Sequence, residues 1–149
     1  MRRHHRHALL ALLATVAAPL AQADCAFELE VGDGISYPVS EMEAEKSCDT
    51  VSVTIVHTGN LPKVAMGHNW VLTRPEDFQA VAPLGMSAGV AGDYVPADEP
   101  RILANTALVG GGESDTVEFS VSDMETGEYT FYCSFPGHWS NMKGTFRLL

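Results

Sequence analysis

Alternation of apolar and polar residues runs through most of the chain after residue 23. The clearest alternating segments are residues 25–31, 51–57, 117–121, 129–133 and 146–148. A period of two residues is typical of a β-strand with one buried and one solvated face. Turn signals such as Gly32-Asp33-Gly34 and Glu125-Thr126-Gly127 separate these segments. The pattern predicts an all-β chain that folds as a sandwich of antiparallel strands.

One stretch, from Pro75 to about Asp93, interrupts the alternation. Pro75 and Glu76 suit the first turn of a helix, and Thr73 lies just before them as a candidate N-cap. We therefore expect a short helical flap around residues 75–93 that packs outside the sandwich.

The first 23 residues have the layout of a secretory signal peptide. Three arginines and three histidines precede an apolar run from Ala8 to Ala18, which is too short to cross a bilayer. The triplet Ala21-Gln22-Ala23 then resembles a cleavage site. We expect export to the periplasm and a mature domain of residues 24–149. A lipid anchor on Cys25 is the rival interpretation, which Asp24 disfavours.

The charge of the chain excludes some classes of partner. Its formal net charge is −10, and all 19 acidic residues follow Ala23. Such a chain does not bind nucleic acid or an anionic membrane unaided. The acidity favours solubility, with steering towards a basic partner as the functional alternative.

The three cysteines divide into a pair and a single residue. Cys25 and Cys48 lie near the mature N-terminus, and an oxidising compartment favours a disulfide between them. Cys133 is left over near the C-terminus. An odd cysteine in an exported protein suggests a bound or reactive thiol.

A tight cluster of potential metal ligands surrounds that cysteine. Cys133, His138 and Met142 fall within ten residues, and the intervening Pro136-Gly137 turns the chain back on itself. His68 offers a second imidazole from the earlier half. One Cys, two His and a distant Met form the ligand set of a blue-copper electron-transfer site. Each of these residues alone would more often be a core or turn residue without a metal, but their occurrence together favours a metal site. The set favours copper over zinc, because zinc prefers four strong ligands.

Further motifs give the chain a close resemblance to the azurins, a family of cupredoxins. The matching segments are residues 59–63, 66–72, 85–86, 93–94 and 142–145, together with Cys25 and Cys48. The resemblance covers nearly the whole mature chain. It implies a Greek-key, cupredoxin-like β-sandwich that holds one copper ion.

The resemblance also implies a role for each residue of the site. Cys133, His68 and His138 would be the three in-plane ligands of copper. Met142 would be a long axial ligand, and the carbonyl oxygen of Gly67 would lie opposite it. Asn69 would hydrogen-bond around the cysteine sulfur and tie the two ligand loops together, and the backbone amide of Phe135 would also donate to that sulfur. An apolar patch around an exposed edge of His138 would dock partners, formed by Leu61, Met66, Met86 and Phe135.

The function implied is one-electron transfer by Cu(I)/Cu(II) cycling, without enzymatic chemistry. Partners would be redox proteins such as c-type cytochromes and periplasmic reductases or dehydrogenases, and the default state is a monomer. A periplasmic copper carrier or storage protein is the main alternative. A module that feeds electrons to another copper centre is a second alternative.

Overall fold

Two β-sheets face each other in residues 24–149, which are the residues that the computed structural model describes. The leader predicted for residues 1–23 lies outside this described part. The strands are β1 Ala26–Val31, β2 Glu41–Ala44, β3 Thr50–His57, β4 Val71–Thr73, β5 Ile102–Asn105, β6 Ser114–Ser120, β7 Gly127–Tyr132 and β8 Lys143–Leu148. One sheet has the order β1-β3-β6, and the other has the order β2-β8-β7-β4-β5. The predicted β-sandwich is confirmed.

The alternation in β3 shows why these residues form strands. Val51, Val53 and Ile55 are fully buried, whereas the residues between them are partly exposed. β-branched side chains fit a pleated, half-buried surface. Each buried Val or Ile stabilises the fold by roughly 1.5–3 kcal/mol relative to an exposed side chain.

Two strand pairs are parallel, so the prediction of antiparallel strands holds for the other four pairs only. β1 pairs with β3 and β2 pairs with β8 in parallel register. The chain leaves β1, crosses to the other sheet as β2, and returns beside β1 as β3. A period of two residues reports which face is buried, but it does not report the direction of the neighbouring strand.

The helical flap is confirmed. It consists of the helices α2 Pro75–Val81 and α3 Gly85–Ala88, with 3-10 turns at Ala82–Leu84 and Val90–Gly92. A further short helix, α1 Lys63–Met66, lies before β4 and outside the flap. Phe78 and Ala82 of the flap pack on Val71 and Tyr132 of the sandwich. Among residues 24–149, no helix has the length and apolarity to cross a bilayer.

The predicted cap of the flap is wrong. Arg74 occupies the N-cap position of α2 without a side-chain hydrogen bond. Thr73 is instead buried at the end of β4, and its hydroxyl has no hydrogen-bond partner among the described residues. Pro75 suits the start of α2, because proline fixes a helical φ and its missing N–H would have had no partner within the helix.

The core has a large aromatic part and a smaller part at one end. Trp70 stacks between Phe119 and Phe131, with ring centroids 5.8 and 6.1 Å away. The smaller cluster contains Val31, Ile55, Val109, Cys133 and Met142. Val31 ends β1, and its register partner His57 ends β3, so this cluster lies where both strands finish.

The predicted disulfide between Cys25 and Cys48 is present, and it lies at the opposite end of the sandwich. Cys25 immediately precedes β1, and Cys48 ends the turn before β3. The pair therefore links the beginnings of two strands whose ends lie at the smaller cluster.

Candidate metal centre

Cys133 lies immediately after β7, and its loop folds back on the end of that strand. The N–H of Cys133 donates to the carbonyl of Met142 at 3.0 Å, and the N–H of Met142 donates to the carbonyl of His138 at 2.8 Å. Gly137 has φ +83°, a backbone conformation that favours glycine. This turn brings His138 back towards Cys133, leaving their Nδ1 and Sγ atoms 3.6 Å apart.

His68 reaches the same point from the other half of the chain. Its backbone forms an isolated antiparallel bridge with Val109. Its Nε2 lies 3.0 Å from the carbonyl oxygen of Gly32, which can only accept a hydrogen bond. Nε2 therefore carries the proton, and Nδ1 presents a lone pair 3.8 Å from the sulfur of Cys133. The donor atoms of His68, Cys133 and His138 all lie within 4.8 Å of one another.

Burial sets the protonation of these groups in the metal-free protein. It lowers the pKa of His68 to about 4, helped by the neighbouring His138, and it also lowers the pKa of His138. Burial raises the pKa of Cys133 to about 11, although the backbone amides of Asn69 and Phe135 act in the opposite direction. Both imidazoles are thus neutral ligands at pH 7, and metal binding would displace the thiol proton.

The two weaker ligand candidates lie near the cysteine. Met142 is fully buried in the same apolar cluster as Cys133. The carbonyl oxygen of Gly67 is 4.0 Å from the sulfur of Cys133. A Cβ at Gly67 would come within 2.5 Å of the carbonyl oxygen of Lys63, so only glycine permits this close packing. The structure thus brings together all five residues that the sequence singled out.

This donor set fits copper. A thiolate and a thioether suit Cu(I), and imidazole suits both oxidation states of copper. The three buried donor atoms cluster tightly, while the remaining candidates are a thioether and a carbonyl rather than a fourth strong ligand for zinc. Fold and donor set together are those of a copper protein.

Asn69 connects the ligand segments through its side chain. Its Oδ1 accepts the N–H of Ser134 at 2.8 Å, next to Cys133. Its Nδ2 donates to the hydroxyl of Ser134 at 2.7 Å and to the carbonyl of Asp93 at 2.9 Å. One buried amide therefore ties the His68 segment to the cysteine loop and to the end of the flap.

The predicted docking residues lie on two surface segments and on the ligand loop. Leu61 and Met86 are 41% and 56% exposed, and Met66 and Phe135 are partly buried. His138 retains 3% exposure, whereas His68 retains none. The ring of Phe135 lies 4.5 Å from the ring of His138. The histidine is thus more enclosed than the expected exposed ring edge suggests.

His57 lies beside the site without joining it. Its ring stacks on His68 at 5.1 Å, its Nε2 lies 3.0 Å from the carbonyl oxygen of Met66, and its Nδ1 accepts the N–H of Gly59. Both ring nitrogens are therefore satisfied by the backbone.

Sequence reasoning missed several residues that shape the site. Gly32, Tyr37, Asp93 and Ser134 make hydrogen bonds around it, and Val64 and Leu84 are exposed apolar residues beside Met66 and Met86. Most of them lie in loops, where no periodic pattern indicates what a side chain contacts. The resemblance to the azurins at Asp93-Tyr94 was the only sequence feature that indicated the contact between Asn69 and the end of the flap.

Comparisons with known proteins agree with this geometry. A family model of copper-binding proteins, the plastocyanin/azurin family, matches residues 23–148. The chain is 48% identical to azurin of Achromobacter denitrificans over 141 residues, which cover 94% of this chain and 95% of that one. It is 43% identical to azurin of Pseudomonas aeruginosa over 142 residues, which cover 95% and 96%. The chain therefore belongs to the plastocyanin/azurin family of copper-binding proteins, and copper is its cofactor.

A solved structure extends the similarity to three dimensions. The azurin from the obligate methylotroph Methylomonas sp. strain J superposes with a TM-score of 0.81 at 38% identity. The match covers 85% of this chain and 99% of that chain. The cupredoxin-like fold expected from the sequence is confirmed.

Proposed function

We propose that the protein carries single electrons between redox proteins of the periplasm. His68, Cys133 and His138 would hold one copper ion, with Met142 and the carbonyl of Gly67 as weaker ligands. The observation that carries this proposal is the cluster of three strong donor atoms within 4.8 Å, on residues that are at most 3% exposed. When bound, the copper would supply a Cu(I)/Cu(II) couple that takes up or gives one electron.

The elements that hold the donors favour fast electron transfer. Cys133 follows a strand in the middle of the five-stranded sheet, and His68 is fixed by its bridge to Val109. Asn69 locks the two segments together through buried hydrogen bonds. Donors held in this way need to move little when the charge of the site changes, which keeps the reorganisation small.

Burial of the donors argues against an enzyme. A substrate would need an accessible ligand position, as the open sites of catalytic metals have. Neither His68 nor Cys133 has measurable exposure. Electrons can pass through such a cover, whereas a reacting molecule cannot reach the donors.

The partners would dock over His138. Leu61, Met66, Met86 and Phe135 would form the contact surface, and exposed methionines adapt to several partner shapes. Partners of this kind include c-type cytochromes and periplasmic reductases or dehydrogenases, and the protein would act as a monomer.

Export would place the domain in the periplasm. We infer that residues 1–23 form a cleaved signal peptide and that residues 24–149 form the working domain. The disulfide between Cys25 and Cys48 supports an oxidising compartment.

The decisive experiment is a visible absorption spectrum of the Cu(II)-loaded protein, before and after reduction with ascorbate. We expect an intense thiolate-to-copper band that bleaches on reduction and returns on reoxidation. Cys133→Ser should lose the band. A colourless wild-type protein that retains copper would contradict electron transfer through Cys133 and favour the carrier or storage alternative.

A second experiment tests the docking surface by stopped-flow electron exchange with a c-type cytochrome. Met86→Glu should slow the exchange, because a carboxylate would be desolvated on docking. Leu149→Glu is the matched control, since Leu149 is 55% exposed and follows β8 at the end opposite Met142. Equal slowing by the two variants would contradict docking at Met86 and indicate an effect of net charge.

A further inference from the structure

The hydroxyl of Tyr37 donates a hydrogen bond to the backbone carbonyl of Asn69, the residue that follows His68. Tyr37 lies in the connection between β1 and β2, and its Oη is 2.5 Å from the carbonyl oxygen of Asn69. Among the hydrogen bonds of residues 24–149, this is the one that reaches that oxygen. Asn69 is fully buried, so removal of the donor would leave a buried carbonyl unsatisfied.

The ring of Tyr37 is held where the two parts of the core meet. It packs edge-on against Phe131 at 5.3 Å. It also contacts the smaller cluster that contains Cys133 and Met142. Packing on both sides restricts the ring, so its hydroxyl reaches Asn69 from a fixed position.

Asn69 is consequently held from two sides. Its side chain is fixed by Ser134 and Asp93, and its backbone carbonyl is fixed by Tyr37. Asn69 directly follows His68, so both anchors hold the backbone next to that ligand.

We propose that Tyr37 is a positioning residue for the copper site, whose phenol fixes the orientation of the peptide between Asn69 and Trp70. Through that peptide it sets where the His68 ring and the Gly67 carbonyl lie relative to Cys133. This inference rests on the proposed function, because it assumes that these residues bind copper.

The test compares Tyr37→Phe with wild type in the copper-loaded protein. Loss of the hydroxyl should shift the thiolate-to-copper absorption and accelerate copper loss to a chelator, on the order of tenfold, as for other groups that orient metal ligands. Amide exchange at Asn69 and Trp70 in the metal-free protein should also become faster, which provides a readout independent of copper.

Tyr129→Phe is the matched control. The hydroxyl of Tyr129 also donates to a backbone carbonyl, that of Glu125, at 2.7 Å. This contact lies near the start of β7, at the opposite end from Cys133. The control should lower the stability of the fold and leave the absorption and the copper-loss rate unchanged.

Two ring analogues separate hydrogen bonding from packing and remain available if Tyr37→Phe does not fold. At position 37, 4-aminophenylalanine keeps a donor and should restore wild-type behaviour, whereas 4-methylphenylalanine keeps the bulk and should not. A wild-type protein with the blue band whose spectrum and copper-loss rate are unchanged in Tyr37→Phe would overturn this inference alone. A wild-type protein without the band would overturn the proposed function itself.

Discussion

The Nε2 of His68 lies 3.0 Å from the carbonyl oxygen of Gly32, at the end of β1. A carbonyl can only accept, so this contact fixes which ring nitrogen carries the proton before any metal arrives. The free Nδ1 then faces the sulfur of Cys133. The fold therefore prepares the imidazole as a ligand, and this preparation can be observed without copper.

We expect ¹H–¹⁵N NMR of the metal-free protein to show His68 as the Nε2–H tautomer. Its Nε2 proton should exchange slowly with solvent, because the ring is buried. His57 is a positive control, since its Nε2 faces the carbonyl of Met66. An Nδ1–H tautomer at His68 would show that the contact with Gly32 does not form in solution.

Acidification should weaken the segment that connects the flap to β5. Arg101 donates to both carboxylate oxygens of Glu99 at 2.7 Å, and the side chain of Glu99 is 11% exposed. These hydrogen bonds lower the pKa of Glu99 from 4.5 to about 2. Because the folded state favours the carboxylate, the contribution is fully present above pH 4.5 and is lost as the pH falls towards 2.

Urea unfolding between pH 6 and pH 2.5, in wild type and in Arg101→Gln, measures this contribution. The wild type should lose more stability than the variant across that range. Lys46→Gln is a control that removes a positive charge at a site outside the ion pairs found in residues 24–149. Parallel pH profiles for wild type and Arg101→Gln would rule out the Glu99 effect.

Replacement of Asn69 by Ala should destabilise the protein by about 3 kcal/mol, because it leaves the buried N–H of Ser134 unsatisfied and removes two further hydrogen bonds. Asn105→Ala is the matched control. Asn105 is only partly buried, and its Nδ2 makes one hydrogen bond, to the carbonyl of Thr106 at 3.1 Å. Denaturant unfolding of the metal-free proteins provides the comparison, and equal losses would mean that the Asn69 network contributes no special stability.

Removal of the disulfide should lower the stability of the fold without changing the copper site. The double variant Cys25→Ser, Cys48→Ser should lose about 3 kcal/mol of unfolding free energy by the chain-entropy estimate. Its visible spectrum should match that of wild type, because the disulfide lies where β1 and β3 begin and the ligands lie where these strands end. A changed spectrum would reveal coupling between the two ends.

The sequence predicted the cysteine loop well because its potential ligands fall within ten residues, at the end of a strongly alternating strand. His68 was found through the motif around it, since no local periodicity links it to Cys133. Tyr37 was missed because it lies in an irregular loop, and its partner is a backbone carbonyl 32 residues away. Because every residue has a backbone carbonyl, the sequence does not indicate which carbonyl a side chain will reach.

The fold was predicted at the level of strands and layers, and less well in its pairing. β2, β4 and β5 contain only three or four residues each, too few for alternation to be distinctive. Thr73 has the chemistry of a cap, but tertiary packing buries it in β4 instead. Strand direction depends on which sheet each connection enters, which local pattern does not specify.

The positions of two edge strands give the acidity of the chain a use beyond solubility. β1 and β2 each pair on one side only, and each places glutamates at exposed positions, Glu28 and Glu30 on the first and Glu41 and Glu43 on the second. A second copy that paired its own β1 or β2 with the same strand would bring like charges together along the new seam. These glutamates therefore oppose the pairing of either strand with its counterpart in a second copy at high protein concentration.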